Sequence, residues 1–301
     1  MPTIAPSSPD AFTADAVHAS PSLHWTRADG WSSVDETLAI EAPLALELAY
    51  ERAGQEIRKV LAVTMRTPGH DAELALGFLF AEGLIATPAD VLASTADTAN
   101  ARGETIATQR VHLARAPRED LQRVSRGLLT SSACGLCGRV SLDGLPLRRS
   151  TRRAGEPLFT GETIARLPDT LRRAQTLFEA TGGSHGAALC DATGTLLLAR
   201  EDVGRHNAVD KLIGAALQQN LPFADKLLVL SGRASFELVQ KAAAAGLPLV
   251  VAVGAPSSLA VTLAHAAGIT LLGFTREARF NAYTHADRLA LLDTPTSPLL
   301  P

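Results

Sequence analysis

Between Lys226 and Phe274, apolar runs of strand length alternate with helical stretches at nearly even spacing. The pattern predicts strands at Lys226 to Leu230, Leu247 to Val253 and Ile269 to Phe274, with helices at Ser235 to Ala245 and Ser257 to Ala267 between them. A chain that leaves a strand, crosses over through a helix and returns must pair its strands in parallel, so this stretch is a βαβαβ unit. The continuous apolar character of each run fits strands covered on both faces. The predicted class is therefore α/β. Residues 242 to 275 carry no formal charge, but Gly246, Pro248, Gly254, Pro256 and Gly268 cut them into pieces shorter than the roughly 20 apolar residues a spanning helix needs.

The rest of the chain is less regular and reads as a smaller N-terminal α+β part. Two β-like runs, Leu44 to Tyr50 and Ile57 to Arg66, end at Thr67-Pro68-Gly69, and Asp71 opens a helix that stops at Gly83. Residues 86 to 106, rich in Ala, Thr and Asp, read as loop, and a strand follows near Arg110 to Ala114. Periodicity fails from Arg118 to Arg153. A single amphipathic helix is expected over Glu162 to Ala180, closed by Gly182-Gly183, then a hairpin over Ala187 to Arg200 turning at Asp191 to Gly194. With 301 residues, one or two domains are expected. The segments fall as a disordered tail over 1–33, the α+β part over 34–117, a mobile loop over 118–160, an α/β part over 161–285 and a C-terminal tail over 286–301.

Net charge is −3, too close to neutral to point to nucleic acid or a membrane surface. The middle of the chain departs from that average: residues 102–173 carry 14 Arg against 7 acids, among them Arg148, Arg149, Arg152 and Arg153. An anionic substrate or partner fits there, and so does a solvated face in a chain where Arg outnumbers Lys 24 to 4. Three cysteines and no apolar run of signal-peptide length argue against a secreted disulfide scaffold and for a cytoplasmic protein with reduced thiols.

The sharpest chemical signal is Ser131-Ser132-Ala133-Cys134-Gly135-Leu136-Cys137-Gly138. Two thiols at this spacing can bind a metal, cycle as a disulfide, or carry a transferable group on one thiolate. A structural zinc needs about four ligands, and beyond Cys190, in a predicted strand, only His185 and His206 offer themselves. A thioredoxin-like motif belongs at a strand-to-helix junction, whereas this pair lies in a Gly-rich, Arg-flanked loop. The zinc nucleobase deaminases need His-x-Glu ahead of Pro-Cys-x-x-Cys; Ala133 stands in place of that Pro, and no such Glu precedes the cysteines. A second constellation, Glu201 to Lys211, crowds acids, Arg205, His206, Asn207 and Lys211 at a helix start, and reads as a polar site or as a cap with ion pairs. A third lies where the predicted parallel strands end, at Ser231-Gly232-Arg233, Gly254 to Ser258 and Phe274-Thr275-Arg276. Helix N-termini on such an edge suit a nucleotide or pyrophosphate.

Together with Glu73 to Gly83, Thr181 to His185, Ser231 to Ser235 and Arg279-Phe280-Asn281, these segments resemble the FdhD-type formate dehydrogenase accessory sulfurtransferases from about Val34 to Tyr283. The resemblance implies a cytidine-deaminase-like fold, a homodimer, and a sulfurtransferase that moves persulfide sulfur from a cysteine desulfurase to the molybdenum cofactor before formate dehydrogenase takes it up. It also implies binding of the bis(molybdopterin guanine dinucleotide) form of that cofactor, with no permanent metal. On this sequence Cys134 would bear the persulfide with Cys137 as partner, and Phe274, Thr275, Arg276, Glu277, Ala278 and Arg279 would contact the cofactor. The rival is a non-catalytic chaperone of the cofactor or apoenzyme that keeps the cysteines for zinc.

Overall fold

The computed structural model describes residues 12–101, 104–117 and 159–290. Its centre is a six-stranded sheet built from β8 (His185–Cys190), β9 (Leu196–Asp202), β10 (Leu227–Leu230), β11 (Leu249–Ala252), β12 (Thr270–Arg276) and β13 (Arg279–Thr284), in the order β13-β12-β11-β10-β8-β9. β10, β11 and β12 are parallel, as their spacing predicts, and antiparallel strands flank them on both sides. Alternate residues face opposite sides. Leu228 and Leu230 enter one apolar cluster and Leu227 and Val229 the other, which is why these strands read as unbroken apolar runs.

One face is covered by α2 (Gly161–Ala174), which buries Ile164, Leu167 and Leu171. The other carries α4 (Arg205–Gln218), α5 (Phe236–Ala245) and α6 (Ser258–Ala267). α1 (Asp71–Ala81) packs outside α4, buried from Leu74 to Ala81 on every side. A helix apolar all round needs cover all round, and this one lies between α4 and a second, four-stranded sheet. That sheet comprises β3 (Ala42–Arg52), β4 (Gln55–Arg66), β5 (Val91–Ala101) and β6 (Glu104–Leu113), ordered β4-β3-β6-β5. Short strands β7 (Phe159–Thr160) and β14 (Leu289–Ala290) pair in parallel.

Several expectations change: the tail expected from 286 begins with a short turn and β14, and β7, its partner, ends the loop expected over 118–160, because Phe159 and Leu289 are buried together. The segment expected to be a tail before residue 34 contains β1 (Val17–Thr26), which pairs antiparallel with β2 (Gly30–Ala39), Trp25 facing Trp31. Both faces of this hairpin are largely exposed, so its strands lack the alternation that marks a half-buried sheet. The loop expected over 86–106 contains β5, paired along β6, and its residues 92–98 are exposed, so it too lacks that alternation. The single helix expected over Glu162 to Ala180 stops at Ala174 and restarts as α3 (Thr176–Thr181). Gln175, at the break, is buried against Gly186, where a β-carbon would meet the Gln175 amide at 2.9 Å. The hairpin expected over Ala187 to Arg200 is present as β8 and β9.

Candidate functional site

The carboxyl ends of β10, β11 and β12 lie side by side, joined beyond the strands by Gly254 N–H donating to Gly232 O at 3.0 Å and Phe274 N–H to Gly254 O at 3.1 Å. On this edge α5 and α6 begin, at Ser235 and Ser257. Glycine is required at 273, where a β-carbon would meet Pro256 Cδ at 2.8 Å and Gly254 O at 3.1 Å. Past it, β12 turns into β13 through residues in left-handed backbone, Phe274, Glu277 and Ala278. Left-handed backbone is costly for side-chain-bearing residues and collects at binding sites. Phe274 is left 40% exposed there, while Thr275 is buried with its hydroxyl lacking a hydrogen-bond partner among the described residues.

Beside this turn is an open cleft of about 620 Å³, a volume suited to a nucleotide-sized ligand. Arg276 contributes to its wall, with Arg172 and Gln175 from the α2–α3 break and Ser184, His185 and Ser231 from the strand ends. Of the six residues expected to contact a cofactor, only Arg276 lines it; Arg279 is exposed and pairs with Glu277 at 3.3 Å. Arg276 has no ion-pair partner among the described residues. Burial and the nearby Arg205 guanidinium hold the His185 pKa below its ordinary value, so the ring is neutral at physiological pH. Sequence reasoning missed Arg172 and Gln175, because no Gly marks the break that turns them into the cleft.

The Glu201 to Lys211 stretch is largely structural. Both Glu201 oxygens accept the first N–H groups of α3, from Leu177 and Phe178, and Oε1 also accepts the Ser184 hydroxyl. Asp202, fully buried, accepts from Thr67 N–H, Gly204 N–H and the Asn207 amide and sits 2.7 Å from Lys211 Nζ, which also donates to Thr67 O. These bonds fasten the end of β4 to the central sheet. Nearby, Arg200 forms a two-pronged bond to Glu73 at 2.6 and 2.8 Å. Cys190 is buried in β8, with burial pushing its thiol up to about 12, so it stays protonated and unreactive. Cys134 and Cys137 lie outside the described residues.

The family model for the FdhD/NarQ family matches residues 39–290. This chain belongs to that family. Relatives include proteins named sulfur carrier protein FdhD from Anaeromyxobacter dehalogenans, 48% identical over 271 residues (86% of this chain and 90% of the relative), and from Streptomyces coelicolor, 46% identical over 272 residues (86% and 91%). A crystal structure from Desulfotalea psychrophila, described as that of a formate dehydrogenase accessory protein, superposes with a TM-score of 0.66 at 24% identity, covering 91% of this chain and 99% of that one. That likeness supports the fold. Within the FdhD/NarQ match lie all the elements that form the cleft.

Two half-buried groups make the fold acid-sensitive. Burial, then Lys241 and Arg205, press His206 down to about 3 from 6.5. Burial alone would raise Glu73, but hydrogen bonds from Arg200 and His70 outweigh it and hold the carboxyl at about 2, against 4.5. For both groups the unfolded chain takes up the proton first as pH falls. The stability each contributes is present above its unfolded value and is lost between 6.5 and about 3 for His206, and between 4.5 and about 2 for Glu73. The urea midpoint is therefore expected to fall as pH drops below 6.5, and His206→Gln to make the decline between pH 6.5 and 4.5 shallower. Identical slopes for variant and wild type would refute the assignment to His206.

Proposed function

We propose that this chain is a cytoplasmic sulfur carrier and sulfurtransferase, acting as a homodimer on a cytidine-deaminase-like core. It takes sulfur from a cysteine desulfurase as a persulfide on Cys134 and delivers it to bis(molybdopterin guanine dinucleotide) molybdenum cofactor on the way to formate dehydrogenase. The cofactor is cargo in this reading. The observation that carries it is the cleft at the carboxyl ends of the parallel strands, where Arg276, with no ion-pair partner among the described residues, stands at a left-handed turn and Arg172 contributes to the same wall. Guanidinium groups are what a pyrophosphate-bearing nucleotide needs. The names of the relatives support sulfur carriage, and the Arg-rich segment around Cys134 would favour its thiolate.

Incubating the full chain with a cysteine desulfurase and cysteine should add the mass of one sulfur atom to the peptide bearing Cys134. An unmodified peptide, or about one zinc per chain by metal analysis, would overturn the reading. Arg276→Ala should weaken GDP binding in calorimetry by roughly tenfold or more, the contribution of a charge-assisted hydrogen bond. Unchanged GDP affinity would move the nucleotide site elsewhere.

A further inference from the structure

Ser235 begins α5, where a serine ordinarily turns its hydroxyl back to accept a first-turn N–H. Ser257 does this at the start of α6, accepting from Ala260 N–H at 3.3 Å. Ser235 makes no such bond. Its Oγ lies 3.4 Å from His206 Nε2, and Nδ1 of the same ring is 3.1 Å from Glu237 Oε2. A carboxylate can only accept, so the ring proton sits on Nδ1 and the Nε2 lone pair faces the Ser235 hydroxyl. Lys241 lies 3.9 Å from the other Glu237 oxygen and is held by two bonds to buried Asp210, which steadies the carboxylate from behind. The first N–H groups of α5 have no intrahelical acceptor and no side-chain cap. A nucleophile, a base in the matching tautomer, an orienting carboxylate and backbone donors beside the nucleophile are thus together on one edge. The His206 and Glu237 side chains are each 25% exposed, so solvent reaches the group.

We propose that Ser235, His206 and Glu237 form a nucleophilic triad that accepts an acyl or organophosphorus group on Ser235, an activity separate from sulfur carriage. With an ester, Ser235 Oγ bonds to the acyl carbon as its proton passes to His206 Nε2, the Glu237 carboxylate on Nδ1 offsetting the Lys241 and Arg205 charges that disfavour the imidazolium. The carbon–oxygen bond to the leaving alcohol then breaks as His206 returns that proton to the departing oxygen. Water releases the acyl group by the same two proton transfers. With a fluorophosphonate the phosphorus–oxygen bond forms as the phosphorus–fluorine bond breaks, fluoride leaves, the Ser235 proton passes through His206 to solvent, and the adduct stays. Arg205 beside the imidazole and exposed Arg233 two residues before Ser235 favour donors that carry negative charge.

The test is fluorophosphonate labelling of the full chain followed by peptide mass spectrometry. The adduct is expected on Ser235 and not on Ser257, with a rate roughly 100-fold lower in His206→Gln and reduced in Glu237→Gln, as loss of a general base or its orienting group requires. No adduct on Ser235, or an unchanged rate in a His206→Gln protein with a wild-type thermal transition, would overturn the proposal. Should that variant not fold, the wild-type pH profile decides. A rate level across neutral pH supports the triad, and one rising about tenfold per pH unit means hydroxide-driven activation and overturns it. Persulfide loading is read on the Cys134 peptide, so failure of either activity is distinguishable from failure of the other.

Discussion

Replacing Cys134 by alanine is expected to abolish persulfide loading, with no peptide of the variant gaining sulfur after treatment with a cysteine desulfurase and cysteine. The chain has three thiols. Sulfur is accepted by a thiolate that can reach the donor's persulfide. Cys190 offers neither property: it has no exposed surface, and its thiol stays protonated to about 12. Cys137 shares the Gly-flanked stretch of sequence, and we propose that it acts second. In this proposal its thiol would attack the Cys134 sulfur, a disulfide would form between the two cysteines, and the outer sulfur would leave reduced as sulfide, so that the two thiol sulfurs supply the two electrons. Cys137→Ala is accordingly expected to load sulfur and retain it. A sulfur adduct on the Cys134→Ala protein would remove Cys134 from the carrier role, and release from Cys137→Ala at the wild-type rate would remove the disulfide step.

How far such roles are legible before a structure depends on where the partners of a residue lie in the chain. β10, β11 and β12 are readable because a parallel strand buried on both faces leaves an uninterrupted apolar run, bounded here by Gly232, Gly254 and Gly246. The strand-end site follows from the same rhythm. The β1–β2 hairpin and β5 are not readable, since Ser, Thr, His and Asp on two open faces give no period to detect. The Glu201 to Lys211 stretch is legible as a costly cluster but not in its purpose. Asp202 answers to Thr67, over 130 residues earlier, and His206 to Ser235 and Glu237, about 30 residues later. Composition can flag such groups; only the fold shows that Asp202 is a fastening and that His206 has a hydroxyl to face.

Gly214→Ala is expected to unfold most of the protein at neutral pH, or to lower its stability by about 3 kcal/mol or more, as overpacking against backbone does. α1 and α4 cross so closely that backbone touches backbone. A β-carbon at Gly214 would lie 1.9 Å from Glu73 O, and one at Gly77 would lie 1.9 Å from Asp210 O and 2.9 Å from Gly214 N. No rotamer relieves these contacts, because the obstructing atoms are carbonyl groups inside helices. The helices would have to separate by more than an ångström. Separation would pull Glu73 from Arg200 and Asp210 from Lys241, both buried, charged and bonded at hydrogen-bond distance. Breaking such pairs leaves uncompensated charge in the core. The Gly77→Ala variant should fail in the same way. Gly182→Ala provides the contrast: its backbone is left-handed with open space around it, so it should cost only about 1 kcal/mol. Urea unfolding of the three variants checks the order. A Gly214→Ala midpoint equal to that of Gly182→Ala would mean that α1 and α4 do not meet backbone to backbone, and the geometry that holds Asp210 and Lys241 behind Glu237 would fall with it.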